Sequence, residues 1–155
     1  MESATAYHCL LMSARPTLDS MRFARAGEEM SGEVRLADLD RLADVLVSDQ
    51  GSARYRLRGG LRAGRPVLTL DVDTAVMLLC QRCLEPYRQE LRIERVFPLA
   101  RDEAQLALWE REDPLLDALV ADPVLDVLTL VEDEILLSLP VAPRHAEGEC
   151  GQARV

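Results

Sequence analysis

From Ser52 onward the apolar positions recur with a period of two. In RYRLR, Tyr55 and Leu57 alternate with Arg54, Arg56 and Arg58, the pattern of a strand buried on one face. After the turn-prone GGLRAGRP, the stretch VLTLDVDTAVMLLC places Leu68, Leu70, Val72, Val76 and Leu78 on one face and Asp71 and Asp73 on the other. A third alternating run, PYRQELRIERVF, puts Tyr87, Leu91, Ile93 and Phe97 on one side. A hairpin through Ala63 and Gly64 predicts Arg56 opposite Asp71 and Arg54 opposite Asp73. A tight turn at Gln81 and Arg82, between Cys80 and Cys83, predicts Val76 opposite Tyr87, Val72 opposite Leu91 and Leu70 opposite Ile93, with every apolar partner on one face.

Elsewhere the period is longer. A short strand over 32–36 leads into DLDRLADVLV, where Asp38 is a candidate N-cap and Leu39, Leu42, Ala43 and Leu46 recur at helical spacing. In LTLVEDEILLSLP, Thr129 and Glu132 have capping-box spacing, the acidic residues Glu132, Asp133 and Glu134 would occupy the first turn, Leu130, Ile135, Leu137 and Leu139 supply apolar surface, and Pro140 ends the helix. The acidic stretch 100–123 reads as a short helix from Glu103 to Trp109 followed by an irregular connection. These elements predict an α+β single domain: a mainly antiparallel sheet of strands near 32–36, 52–58, 67–79 and 86–98, with two main helices near 38–47 and 129–139 packed on one face. The domain spans 32–140, preceded by an irregular arm over 1–31 and followed by a tail over 141–155.

Composition fits one core: 155 residues, 48% hydrophobic and 29% charged. No apolar run approaches the about 20 residues of a membrane helix, and the N-terminus lacks the layout of a secretory signal, so a soluble, cytoplasmic protein is expected with no membrane partner. The formal net charge of -9 disfavours general attraction to phosphate backbones and favours basic partners. The basic side chains are all arginine, at surface positions of every kind, which reads as genomic bias.

Four cysteines are present, Cys9, Cys80, Cys83 and Cys150. Cys80 and Cys83 provide half of a tetrahedral site, and His145 with Cys150 could provide the other half, so that a structural zinc ion would tie the tail to the hairpin tip. Position 84 is Leu where such turns often carry glycine. Two reduced cysteines beside a disordered tail are the plain alternative. A thiol oxidoreductase is a second functional reading; it calls for Cys80 at a helix N-terminus, whereas Pro86 and the alternation after it indicate a strand, and a strongly depressed Cys80 pKa would favour it. The arginines from Arg54 to Arg65 form the one basic concentration, and Arg54, Arg56 and Arg58 could touch RNA, but the aspartates opposite Arg54 and Arg56 would neutralise the stripe. His8 and His145 sit in no nucleophile elbow, and no phosphate-binding glycine loop occurs. Nothing in these patterns demands an enzyme.

CQRCLEPY, then LVEDEILLSLPVAPRH, then the terminal Cys150 resemble the YceD (DUF177) family over roughly 32–150. The resemblance implies a non-catalytic role in accumulation of large-subunit (23S) ribosomal RNA, in bacteria and chloroplasts, and hence in ribosome biogenesis. Bacterial members are often encoded beside a small large-subunit ribosomal protein, which implies a partner at the nascent large subunit. Combined with the acidic charge, the expectation is action through a basic ribosomal protein or assembly factor. A zinc-stabilised factor that contacts ribosomal RNA directly is the remaining alternative.

Overall fold

The computed structural model describes residues 15–150. Its elements are β1 (Thr17–Leu18), α1 (Ser20–Ala26), β2 (Glu29–Arg35), β3 (Ser52–Arg62), β4 (Arg65–Leu79), β5 (Pro86–Ala100), α2 (Glu103–Glu112), β6 (Leu119–Val120), β7 (Leu125–Asp126) and α3 (Val127–Ser138). Strands β2, β3, β4, β5 and β6 form one sheet in that order, antiparallel except for the β5–β6 contact, and β1 pairs with β7. The architecture is α+β, as the mixture of periods predicts, and α1 and α3 share the sheet's inner face.

The inner face is apolar because each long strand alternates. Leu57, Leu68, Leu70, Val72 and Phe97 are buried there with Val131 and Ile135 from α3. Each such side chain contributes roughly 1.5–3 kcal/mol when fully buried, and the charged outer face offers α3 no comparable surface. The turn between β3 and β4 has positive φ at both Ala63 and Gly64, the geometry of a two-residue hairpin. It fixes the predicted pairs Arg56–Asp71 and Arg54–Asp73.

The β4–β5 register differs from the expected one by two residues. Leu78 faces Tyr87, Thr74 faces Leu91, and Val72 faces Ile93. The connection is not a tight two-residue turn: β4 ends at Leu79 and β5 begins at Pro86, leaving 80–85 to make the bend. A shift of two preserves which face each side chain occupies.

The arm expected to be irregular contains β1, α1 and the first three residues of β2; its residues 1–14, including His8 and Cys9, lie outside the described residues. Asp19 caps α1 by accepting from the Arg22 amide, and Gly27 closes it in the left-handed region. The helix sits so close to β3 that a Cβ on Gly59 would stand 2.3 Å from the Phe23 carbonyl oxygen. Glycine is what allows that approach.

No α-helix forms over 38–47. Two 3-10 turns, Leu36–Asp38 and Asp40–Leu42, occupy its start. Leu36, Leu39 and Leu42 are buried at a spacing of three, which suits a 3-10 turn as well as it suits an α-helix. Asp38 is not a cap; its carboxylate takes a bidentate pair from Arg35. The capping box of α3 is also corrected. Asp126 is the N-cap and accepts from the Thr129 amide at 3.0 Å, so Glu132 lies one turn further in, facing the core. Leu137, expected to be apolar contact surface, is 75% exposed. Finally, α2 extends three residues beyond Trp109, whose ring is buried under the Arg65 guanidinium 4.6 Å from its centre.

Candidate metal centre

Cys80 follows the last residue of β4, and its backbone holds the bend: its N–H donates to the Glu85 carbonyl at 3.0 Å, and its carbonyl accepts from the Leu84 amide at 2.9 Å. Leu84 adopts φ 59°, the left-handed conformation that the glycine-poor sequence disguises. The tail returns to this tip. The Gln81 amide donates to the Pro143 carbonyl at 2.8 Å, and a turn closed by Glu149 N–H to the Ala146 carbonyl reverses the chain between His145 and Cys150.

These connections bring all four expected ligands together. The ligand atoms of Cys80, Cys83, His145 and Cys150 lie within 4.8 Å of one another. Cys80 Sγ is 3.5 Å from Cys150 Sγ, and Cys83 Sγ is 3.4 Å from His145 Nδ1. Cys80 is buried, and the other three are half-buried. The three thiols are unbridged. Such a set could hold a metal ion.

The electrostatics separate the sulfurs. Burial pushes the Cys80 thiol up, but the N–H groups of Cys83, His145 and Arg82 and the His145 side chain stabilise its thiolate and bring it down to about 5. Burial and the neighbouring sulfurs of Cys80 and Cys83 push Cys150 up to about 11. A low Cys80 pKa is what a redox thiol needs, yet a metal ligand is also a thiolate. Position distinguishes the two: Cys80 ends a strand and opens a bend, with no helix N-terminus behind it.

Tyr87 also belongs to the centre, which its place in the alternating strand did not reveal. Its ring packs on His145 with centroids 5.0 Å apart and planes at 42°. Proximity to CQRC within CQRCLEPY was the available signal.

The arginines stand elsewhere, on the sheet's outer face. Arg56 pairs with Glu29 at 2.7 Å and Arg58 with Asp71 at 2.8 Å, while Arg54 lies in register between Glu33 and Asp73. The open depression there is lined by Arg54, Arg56 and Arg92 and by Asp71, Asp73 and Glu94, an even mixture of signs.

A second polar cluster escaped the sequence. Glu132 is 4% exposed. Its carboxylate accepts from the Arg41 amide at 2.7 Å, the Leu42 amide at 3.3 Å and the Arg41 guanidinium at 3.1 Å. Arg41 also reaches Asp133. The acidic run has the pattern of dipole-facing surface, whereas Glu132 satisfies backbone donors of the 3-10 turns 91 residues away in sequence.

Among the described residues, no helix is long and apolar enough to cross a membrane. No solved structure matches the chain. A protein of Haemophilus influenzae named Large ribosomal RNA subunit accumulation protein YceD is 29% identical over 146 residues, covering 86% of this chain and 77% of the relative. Residues 68–155, which include most of β4, β5, α3 and all four candidate ligands, match the family described as Large ribosomal RNA subunit accumulation protein YceD. This chain therefore belongs to the YceD family.

Proposed function

We propose that the protein is a non-catalytic, cytoplasmic factor that supports accumulation of large-subunit ribosomal RNA, acting through a basic ribosomal protein or assembly partner, and that a structural zinc ion on Cys80, Cys83, His145 and Cys150 fastens its tail. The observation that carries the role is the family match across the two long strands, α3 and the cysteine cluster. The net charge of -9 and the ion pairs that occupy Arg56 and Arg58 favour a basic protein partner over direct contact with RNA.

Zinc suits the donor set. Tetrahedral zinc bonds, about 2.3 Å to sulfur and about 2.0 Å to nitrogen, give ligand-to-ligand edges of roughly 3.8 Å for S–S and roughly 3.5 Å for S–N. The Cys80–Cys150 and Cys83–His145 separations of 3.5 and 3.4 Å are close to those edges. Three thiolates and one imidazole form a closed structural set, with no ligand position left for a substrate.

The test is a chromosomal deletion complemented with tagged protein. Large-subunit ribosomal RNA should fall relative to small-subunit RNA in the deletion and recover on complementation. Copurification of a basic ribosomal or assembly protein should survive nuclease treatment. Unchanged RNA in the deletion would refute the role. Recovery of precursor RNA after protein contacts are disrupted, lost in an Arg54/Arg56/Arg58 substitution, would shift the reading to a direct RNA-binding factor. Turnover of a disulfide substrate dependent on Cys80 would favour the oxidoreductase.

A further inference from the structure

Among the described residues, strand β5 leaves one edge of the main sheet open. It pairs with β4 from Pro86 to Pro98, but its other edge meets β6 only at Leu99 and Ala100. Among the described residues, no backbone hydrogen bond from another segment reaches 87–97 on that side. Neighbouring side chains take carbonyls there instead: Gln89 Nε2 donates to the Glu90 oxygen at 3.1 Å, and Arg95 Nη1 to the Glu94 oxygen at 3.3 Å. In an antiparallel ladder the N–H and C=O of alternate residues point to the same edge. Arg88, Glu90, Arg92 and Glu94 therefore direct theirs outward.

The side chains of those four residues are exposed on the outer face and alternate in sign. Opposed residues of an antiparallel pair share a face, so self-pairing of this edge permits only registers that match outer residues with outer residues. Registers centred on Glu90 or Arg92 put a like pair on the axis and further like pairs beside it. A register centred on Leu91 sets Arg88 opposite Glu94 and Glu90 opposite Arg92, each twice by symmetry. Opposite charges across strands stabilise the pair, and like charges destabilise it.

We propose that the protein forms a two-fold dimer by antiparallel pairing of β5 with β5 of a second copy, Leu91 on the axis, so that one sheet runs through both molecules. The outward amides and carbonyls of 88, 90, 92 and 94 supply the ladder, and the charge order supplies the register. The present contacts of these side chains are cheap to exchange: the Arg88–Glu90 pair is exposed, and Arg92 stands 3.7 Å from Asp73 at 91% exposure. The other edge, β2, is seven residues long, and pairing about Ser31 would oppose Glu29 and Glu33. A basic extended segment of another protein gains nothing at β5 from net charge, because it would meet Arg88, Arg92 and Arg95 beside the two glutamates. An unprotected strand edge pairs readily with other chains; this sign pattern selects a copy of itself.

Sedimentation of the purified full-length chain, from low to high micromolar concentration, tests the proposal. A monomer–dimer equilibrium is expected. Glu90→Arg and Arg92→Glu should each weaken the dimer by at least about tenfold, because each places like charges opposite one another at two symmetric positions. The double variant should restore it, and unfolding midpoints measured on monomeric samples should move only slightly, the larger shift falling on Arg92→Glu, which sets a carboxylate opposite Asp73. A monomer at every concentration overturns the proposal. So does a dimer indifferent to the single variants, a double variant without rescue, or a chain that stays monomeric alone but binds a basic extended peptide along β5.

Discussion

Cys83 Sγ and His145 Nδ1 stand 3.4 Å apart although 62 residues separate them. The bend after β4 and the tail after α3 meet at this point, and the tail has little apolar content of its own with which to remain there. Elemental analysis of protein purified without added metal should give one zinc per chain. His145→Ala and Cys150→Ser should each lower that occupancy, and chelation should open the tail beyond 140 to proteolysis while the sheet remains resistant. Full zinc in both variants would remove these residues from the centre.

Leu84 holds a left-handed backbone, φ 59°, within the bend that carries both cysteines. A side chain in that region costs about 1 kcal/mol relative to glycine. Leu84→Gly should therefore raise stability by up to ~1 kcal/mol in chemical denaturation and leave metal content unchanged. A loss of stability would show that the 68%-exposed leucine makes contacts that outweigh the strain.

Glu132 is buried with two backbone amides and the Arg41 guanidinium on its oxygens. Glu132→Ala strands those donors inside the fold and should cost about 3 kcal/mol. Asp133→Ala, at the exposed end of the same arginine, should cost under about 1 kcal/mol. Equal effects in urea unfolding would contradict the arrangement.

Burial raises the Glu134 carboxyl above its ordinary 4.5, Asp117 adds to the rise, and Arg95 at 3.2 Å only partly opposes it. A carboxyl raised in the fold favours folding while protonated; that contribution is complete below its unfolded value and is lost as pH rises through the folded one. Glu134→Gln should thus be more stable than the parent at neutral pH, with the gap closing below pH 4.5. Denaturation midpoints at several pH values measure this, and a gap that widens in acid would reverse the sign.

Several features were legible because they depend on local periodicity. Alternation gave the inner and outer faces of β3, β4 and β5, and the Ala63–Gly64 turn fixed one register because two residues leave no slack. The bend at 80–85 carries no such constraint, so alternation leaves the neighbouring register free to differ by two residues with its faces intact. The turns over 36–42 resemble the start of a longer helix because a spacing of three is ambiguous over so short a stretch, and the seven residues of α1 give too little periodicity to mark a helix.

Strand faces, the α+β class and the residue types of the candidate metal centre follow from the chain alone, since periodicity and ligand chemistry are written along it. Only the folded chain shows that His145 and Cys150 meet Cys80 and Cys83, that Glu132 satisfies amides of a distant turn, and that, among the described residues, β5 keeps an open edge. Those outcomes depend on which segments lie side by side once the apolar faces are buried, and separation along the chain does not encode that proximity.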